Sequence, residues 1–261
     1  MVEKKYKLTE ESICLNGTTL YRIEAIRDFG LIKKGDKGGF IEKESNLSHD
    51  GDAWVRYNAK VYYNACVYDN AIVSDNANVL GCAKVSGNAE VCGYARVYGY
   101  ASISDDAIVY GNARVHRHAT IRGNAKVHCN AEVYGHASVC GDADVYGDAN
   151  VYDYATICGD ANVYGEANVY DNAIVCGDAD VCGYALICGD ACVRGDRDYI
   201  VFKNWWSSGR YFTWTRSNNM WKVGCFYGSG EKLIKKAYAD SENVGQEYER
   251  VVKYVESILG N

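Results

Sequence analysis

Between residues 108 and 141 the chain gathers Arg114, Arg117, Arg122 and Lys126 against one acid, Glu132, together with His116, His118, His128 and His136. Guanidinium groups offer forked donors to phosphate or carboxylate oxygens, and imidazole and phenol rings offer stacking surfaces. The segment therefore has the side chains to dock an anion such as a nucleotide or pyrophosphate. The stretch from 142 to 191 holds ten acids and neither Lys nor Arg. A basic belt on an acidic rod serves solubility equally well, or pairs with the acidic stretch of a neighbouring molecule. His118 and His136 are also the candidates for a general base, although no carboxylate close in sequence orients either ring. No phosphate-cradling glycine loop and no Ser-centred nucleophile motif is present.

The wider composition narrows the class. A formal net charge of -6 argues against general binding to nucleic acid or anionic membranes, which needs a basic excess to displace counterions. The polar opening Met1-Val2-Glu3-Lys4-Lys5 has no signal-peptide character, and no segment approaches the roughly 18 apolar residues of a membrane span, so a cytoplasmic location is expected. Of twelve Cys, all but Cys14 and Cys225 occupy positions filled elsewhere by Tyr, Ser or Val-sized residues. Reduced thiols used as small side chains fit this better than a disulfide framework.

These residues sit in a repeat. From Ala53 to Ala191 an Ala recurs every six residues, 24 units without an insertion, and Val or Ile follows each Ala two positions on. The unit is exemplified by Gly111-Asn112-Ala113-Arg114-Val115-His116. Residues two apart on a strand share a side, and Gly-Asn or Gly-Asp tolerates the left-handed conformations of a tight corner. One such unit cannot bury its Ala-Val face alone, so the array must coil until successive strands enclose a common core. The period divides the chain into an N-terminal β cap (1–50), a repeat array (51–196) and a C-terminal α+β domain (197–261).

An aliphatic residue followed four later by a small one, as in Val109 to Ala113 and Val145 to Ala149, resembles the hexapeptide-repeat, left-handed β-helix superfamily. The resemblance covers over half the chain. It implies a mainly β protein of about eight triangular coils, each roughly 18 residues long. The superfamily's acyltransferases imply an alternative activity, with acyl-CoA bound between subunits and His118 or His136 as base. The position after the aliphatic residue, often Gly in those enzymes, is here Tyr, Cys, His, Ser or Arg, and their loop excursions are missing. The ends, Lys37-Gly38-Gly39-Phe40-Ile41-Glu42 at the front and Gly224-Cys225-Phe226-Tyr227-Gly228 before a helix at the back, resemble β-helix proteins carried by phages and prophages.

With coils of that length, residues 18 apart stack at ~4.8 Å. Tyr100, His118, His136 and Tyr154 then form one corner column, and the next strand carries Ser102, Thr120, Ser138 and Thr156 outward. Two residues further along lie Ser104, Arg122, Cys140, Cys158 and Cys176. The thiols form a straight row, which does not make a tetrahedral metal site, so no metal is expected. The other two faces carry Arg96, Arg114 and Glu132, or Glu90, Lys126, Asp144 and Asp180. A nearly uncharged face of small residues predicts self-association, as dimer or trimer, through Ser102, Thr120, Ser138 and Thr156. The corner column with Arg117 and Arg122 is the candidate ligand site, with no cofactor required.

Beyond Arg194 the period stops. Tyr199 to Trp206, Arg210 to Arg216 and Met220 to Phe226 predict three strands. Gly230 to Ala239 and Val244 to Leu259 predict helices, the second with Tyr248, Val251, Val252, Val255 and Leu259 on one face. Trp205, Trp206, Trp214 and Trp221 are expected in the core of this module and its docking surface. At the front, Asn16-Gly17 between apolar runs predicts a hairpin that caps the first coil. Three functions fit the sequence: a non-enzymatic phage-type binding protein that sequesters a small anion or blocks a host protein, an acyltransferase, or a structural spacer.

Overall fold

The structure is a computed structural model that describes residues 3–259. The repeat array forms a parallel β-solenoid. Each unit contributes a two-residue strand, for example Arg114–Val115, whose second residue points inward. Every repeat Ala from Ala53 to Ala191 and the Val or Ile two residues on are buried, which makes one continuous apolar column. Strands pair with those 18 residues away in three parallel sheets, as in Ser102↔Thr120, Arg96↔Arg114 and Ile108↔Lys126. Each strand donates to the following coil, as Arg114 N does to Ala131 O at 2.9 Å and His116 N to Val133 O at 3.0 Å.

The corners follow from the residue types. A residue with positive φ turns the chain at each corner, and it is Gly in most units, such as Gly111 at φ 68°. Where it is Asp, the side chain compensates at four of the five corners. The carboxylates of Asp69, Asp75, Asp105 and Asp171 accept the N–H of the corner glycine one coil on, Gly87, Gly93, Gly123 and Gly189, at 2.9–3.0 Å.

The solenoid has about nine turns instead of the eight expected. The additional coil comes from the front segment, which lacks the hexad. There β1 (Tyr6–Leu15) and β2 (Thr18–Ala25) form the expected hairpin across Asn16-Gly17, and β3 (Lys37–Ile41) runs parallel to Lys60–Val61. Gly38 and Gly39 permit this close approach. A Cβ at either would lie 2.5 Å from Ile23 or 2.6 Å from Ala59 O respectively.

The inward strand residues donate to the preceding coil, as parallel pairing requires, whereas the other ladder N–H groups point toward the following one, so carbonyls predominate on the front edge and N–H groups on the back edge. Each end is covered by the complementary chemistry. At the front, Lys5 Nζ reaches Gly51 O at 2.9 Å, the Tyr6 hydroxyl reaches Leu47 O at 2.8 Å, and Arg22 Nη1 reaches Gly38 O at 2.7 Å. At the back, Asp196 accepts from Asp180 N, Thr213 from Leu186 N, Ser217 from Cys192 N, and Asp198 from Arg194 N, at 2.7–3.2 Å.

The C-terminal module is an antiparallel sheet of four strands, Tyr199–Lys203, Tyr211–Thr215, Met220–Val223 and Phe226–Gly228, packed on α1 (Gly230–Asp240) and α2 (Glu242–Leu259). The expected third strand is broken into a hairpin at Gly224, whose φ is +54°. Phe212, Trp214, Trp221, Leu233, Tyr248 and Val252 are among its buried core residues, and the side chain of Leu259 lies outside the described residues. Trp205 and Trp206 depart from expectation, being 74% and 82% exposed. The buried Asn204 side chain accepts from Trp206 N at 2.9 Å and Ser207 N at 3.2 Å, closing a tight loop that turns both indoles outward. Among the described residues no helix is long and apolar enough to cross a membrane.

Candidate binding surface

The expected corner column forms. Tyr100, His118, His136 and Tyr154 stack with ring centroids 5.0, 4.8 and 5.1 Å apart and planes within 4°. All four are exposed, so they present a ridge of ring edges along the rod. Beside it the sheet from Cys66–Val67 to Cys192–Val193 carries Ser102, Thr120, Ser138 and Thr156 in register and half-buried. Arg122 stands exposed on the far margin of that sheet. Arg117 is a corner residue with φ 60°, and its guanidinium lies 5.7 Å from the Tyr134 ring. The two arginines thus flank the hydroxyl face from opposite sides and do not converge on one point.

Two further aromatic columns were not singled out from the sequence. Tyr98, His116, Tyr134, Tyr152 and Tyr170 stack at 4.6–5.1 Å, and Tyr110, His128, Tyr146 and Tyr164 at 4.5–5.1 Å. Their histidines have carboxylate partners. His116 Nε2 is 2.9 Å from Glu132 Oε1, and His128 Nε2 is 3.1 Å from Asp144 Oδ1. Each partner is the outward residue of the coil above, 16 positions on instead of 18, so the contact runs diagonally across the ladder. His118 and His136 have their stacking neighbours instead.

Burial raises the Tyr134 phenol, pushes Tyr152 up to about 12 and raises Tyr170 further with help from a Cys188 hydrogen bond. Burial, then neighbouring thiols, also raises Cys158 and Cys176, and Cys92 is pushed up to about 11 by burial. Thiols shifted in this direction are poor nucleophiles at neutral pH. Among the described residues no three His, Cys, Asp or Glu side chains come together as metal ligands.

Fold and surface together define a capped parallel β-solenoid with one nearly uncharged face. No family model matches the chain, and no curated protein is significantly similar to it.

Proposed function

We propose that the chain is a non-enzymatic binding or interaction protein of the kind carried by phages, working in the cytoplasm of the host cell as an anti-defence factor. It would associate with itself and either hold a small nucleotide-like anion or block a host protein through the β-solenoid surface. The observation that carries this reading is the asymmetry of the three faces. One carries Ser102, Thr120, Ser138 and Thr156 in register beside a ridge of stacked rings, while the others carry Arg96, Arg114 and Glu132 or Lys126 and Asp144. A contact that buries a face penalises unpaired charge on it, so a face of small hydroxyls suits close approach of a second flat surface. The proposed self-association is dimeric or trimeric.

Light scattering tests the association. The unmodified chain is expected to run as an oligomer, and Thr120→Lys as a monomer with its β circular dichroism intact, since Thr120 points away from the Ala-Val core. A monomeric unmodified chain would remove the association. For the anion, calorimetry with pyrophosphate should show binding that Arg122→Glu abolishes, and unchanged affinity in that variant would remove the belt as a site.

A second reading, acyl transfer from acyl-CoA, is favoured by the hydrogen-bonded His116–Glu132 pair, because a carboxylate orients an imidazole as a base, and His128 lies equally close to Asp144 without that bond. In that reading the base is His116 or His128 instead of His118 or His136. Transfer of label from acetyl-CoA to generic acceptors, lost in His116→Ala or His128→Ala, would replace the first reading.

A further inference from the structure

We propose that the stacked thiols of Cys140, Cys158 and Cys176 form a two-coordinate site for a soft monovalent metal ion of the copper(I) class. The three hold the same corner position on successive coils, and nowhere else in the repeats do cysteines stand 18 residues apart. At that position the other two sides of the same coils carry rings, Tyr134, Tyr152 and Tyr170 on one and Tyr146 and Tyr164 on the other. This side replaces an aromatic stack with sulfur.

The backbone fixes the spacing of the row. Cys140 N, Cys158 N and Cys176 N donate to Ile157 O, Val175 O and Val193 O of the next coil at 2.8–2.9 Å. The preceding strands pair in register, Ser138↔Thr156 and Thr156↔Ile174, so each thiol stands behind the next. Rings at the equivalent corners stack 4.9–5.0 Å apart, which measures the step. All three cysteines are free and half-buried. After burial, Cys140 and Cys176 are the neighbours that raise the Cys158 thiol, so the row interacts along its length.

The straightness that rules out a tetrahedral ion suits a linear one. Two collinear metal–sulfur bonds of about 2.3 Å, the zinc–thiolate length, span about 4.6 Å, close to the ~4.8 Å between coils. Thiolates select copper(I), whereas structural zinc takes four ligands. Each slot uses two ligands, so no three side chains need converge. Cys158 is shared, which gives one slot toward Cys140 and another toward Cys176. Filling both displaces the three thiol protons to solvent and leaves two monovalent cations on three thiolates, one net negative charge. Arg122 and Arg194 continue the same column one coil before and one coil after the row, both exposed, and their charges offset it. The row lies on the margin of the hydroxyl face and needs neither self-association nor an anion there.

Anaerobic titration of the reduced full chain with copper(I) in competition with bathocuproine disulfonate, followed by X-ray absorption at the copper edge, tests the site. The chain should retain copper against the chelator, with two sulfur neighbours in linear geometry. Cys158→Ser removes the thiol common to both slots and should lower the copper held per chain. The combined Cys14→Ser and Cys225→Ser variant, whose thiols are exposed and outside the repeats, should hold as much as the unmodified chain. Serine already occupies this column at Ser86 and Ser104, so Cys158→Ser should keep the β circular dichroism. Should it fail to fold, Cys140→Ser combined with Cys176→Ser leaves Cys158 without a stacked thiol and makes the same test. Copper surrendered entirely to the chelator overturns the site, as does equal copper in the Cys158→Ser chain. An absorption edge showing three or more sulfur ligands, or zinc(II) held as tightly by the same thiols, overturns the linear geometry.

Discussion

At the scale of single residues, the corners show how a repeat tolerates variation. A corner needs a left-handed residue, which costs an L side chain roughly 1–2 kcal/mol. Asp is the exception that brings its own compensation, since Asp105 at φ 60° accepts the Gly123 N–H of the next coil at 3.0 Å. Asp105→Ala keeps the conformational cost and loses the bond, so it should destabilise by ~1–3 kcal/mol. Asp105→Gly loses the bond but removes the cost, and should destabilise by less. Denaturation midpoints check this; an Asp105→Ala variant as stable as the unmodified chain would show that the carboxylate bridge contributes nothing. The corner position itself was legible in the sequence, because Gly-Asn and Gly-Asp recur at a fixed offset from Ala. The bridge was not, since it joins a side chain to the backbone N–H one coil on, a contact that residue spacing alone does not reveal. The His116–Glu132 contact was hidden for a related reason: its offset of 16 belongs to no single column of the repeat. Tyr248 was read correctly as core, but its lack of a partner depends on what α1 and the sheet bring near it.

At the scale of elements, the aromatic columns tie stability to pH. Tyrosine is an acid, and burial raises the phenols of Tyr134 and Tyr152, the latter to about 12. For Tyr164, also about 12, a hydrogen bond with Cys182 leads and burial contributes less, while Tyr170 is raised chiefly by burial. An acid whose folded pKa lies above its unfolded value of about 10 favours folding fully below pH ~10 and loses that contribution as pH rises through the folded value. The unfolded chain then releases protons that the stacks retain. Stability should therefore fall from pH ~10 to ~12, and the phenolate absorbance of Tyr134, Tyr152, Tyr164 and Tyr170 should grow together with the loss of β circular dichroism. A single phase near pH ~10 with the solenoid intact would contradict the raised pKa values. Parallel stacking of these rings follows from the strand register, so column membership could be read from an 18-residue spacing. The end modules lack a period, and their strand breaks, as at Gly224, and the outward turn of Trp205 and Trp206 depend on local hydrogen bonds that no repeat announces.

At the scale of the whole molecule, the governing feature is polarity along the axis. Most ladder N–H groups donate forward, so one end of the rod would display chiefly carbonyls and the other chiefly N–H groups if the end modules were removed. Two identical ends cannot satisfy one another by continuing the parallel ladder, whereas a front end and a back end can, in the head-to-tail manner that builds open filaments. The caps block this: Lys5, Tyr6 and Arg22 donate at the front, and at the back Asp196, Asp198, Thr213 and Ser217 accept while the Tyr199 hydroxyl donates to Asp180 O. Removing residues 1–36 also uncovers Trp54, which packs against Tyr6 and Phe29 in the intact chain, so this truncation should aggregate. Residues 1–195 alone expose the N–H-rich edge and should associate less, having no apolar indole at the broken end. Mixed, the two truncated chains should form joined species that neither forms alone, with the carbonyl edge of one on the N–H edge of the other. Size-exclusion chromatography with light scattering checks this. A mixture that behaves as the sum of its parts would mean that the caps serve their own modules and do not guard the edges of the rod.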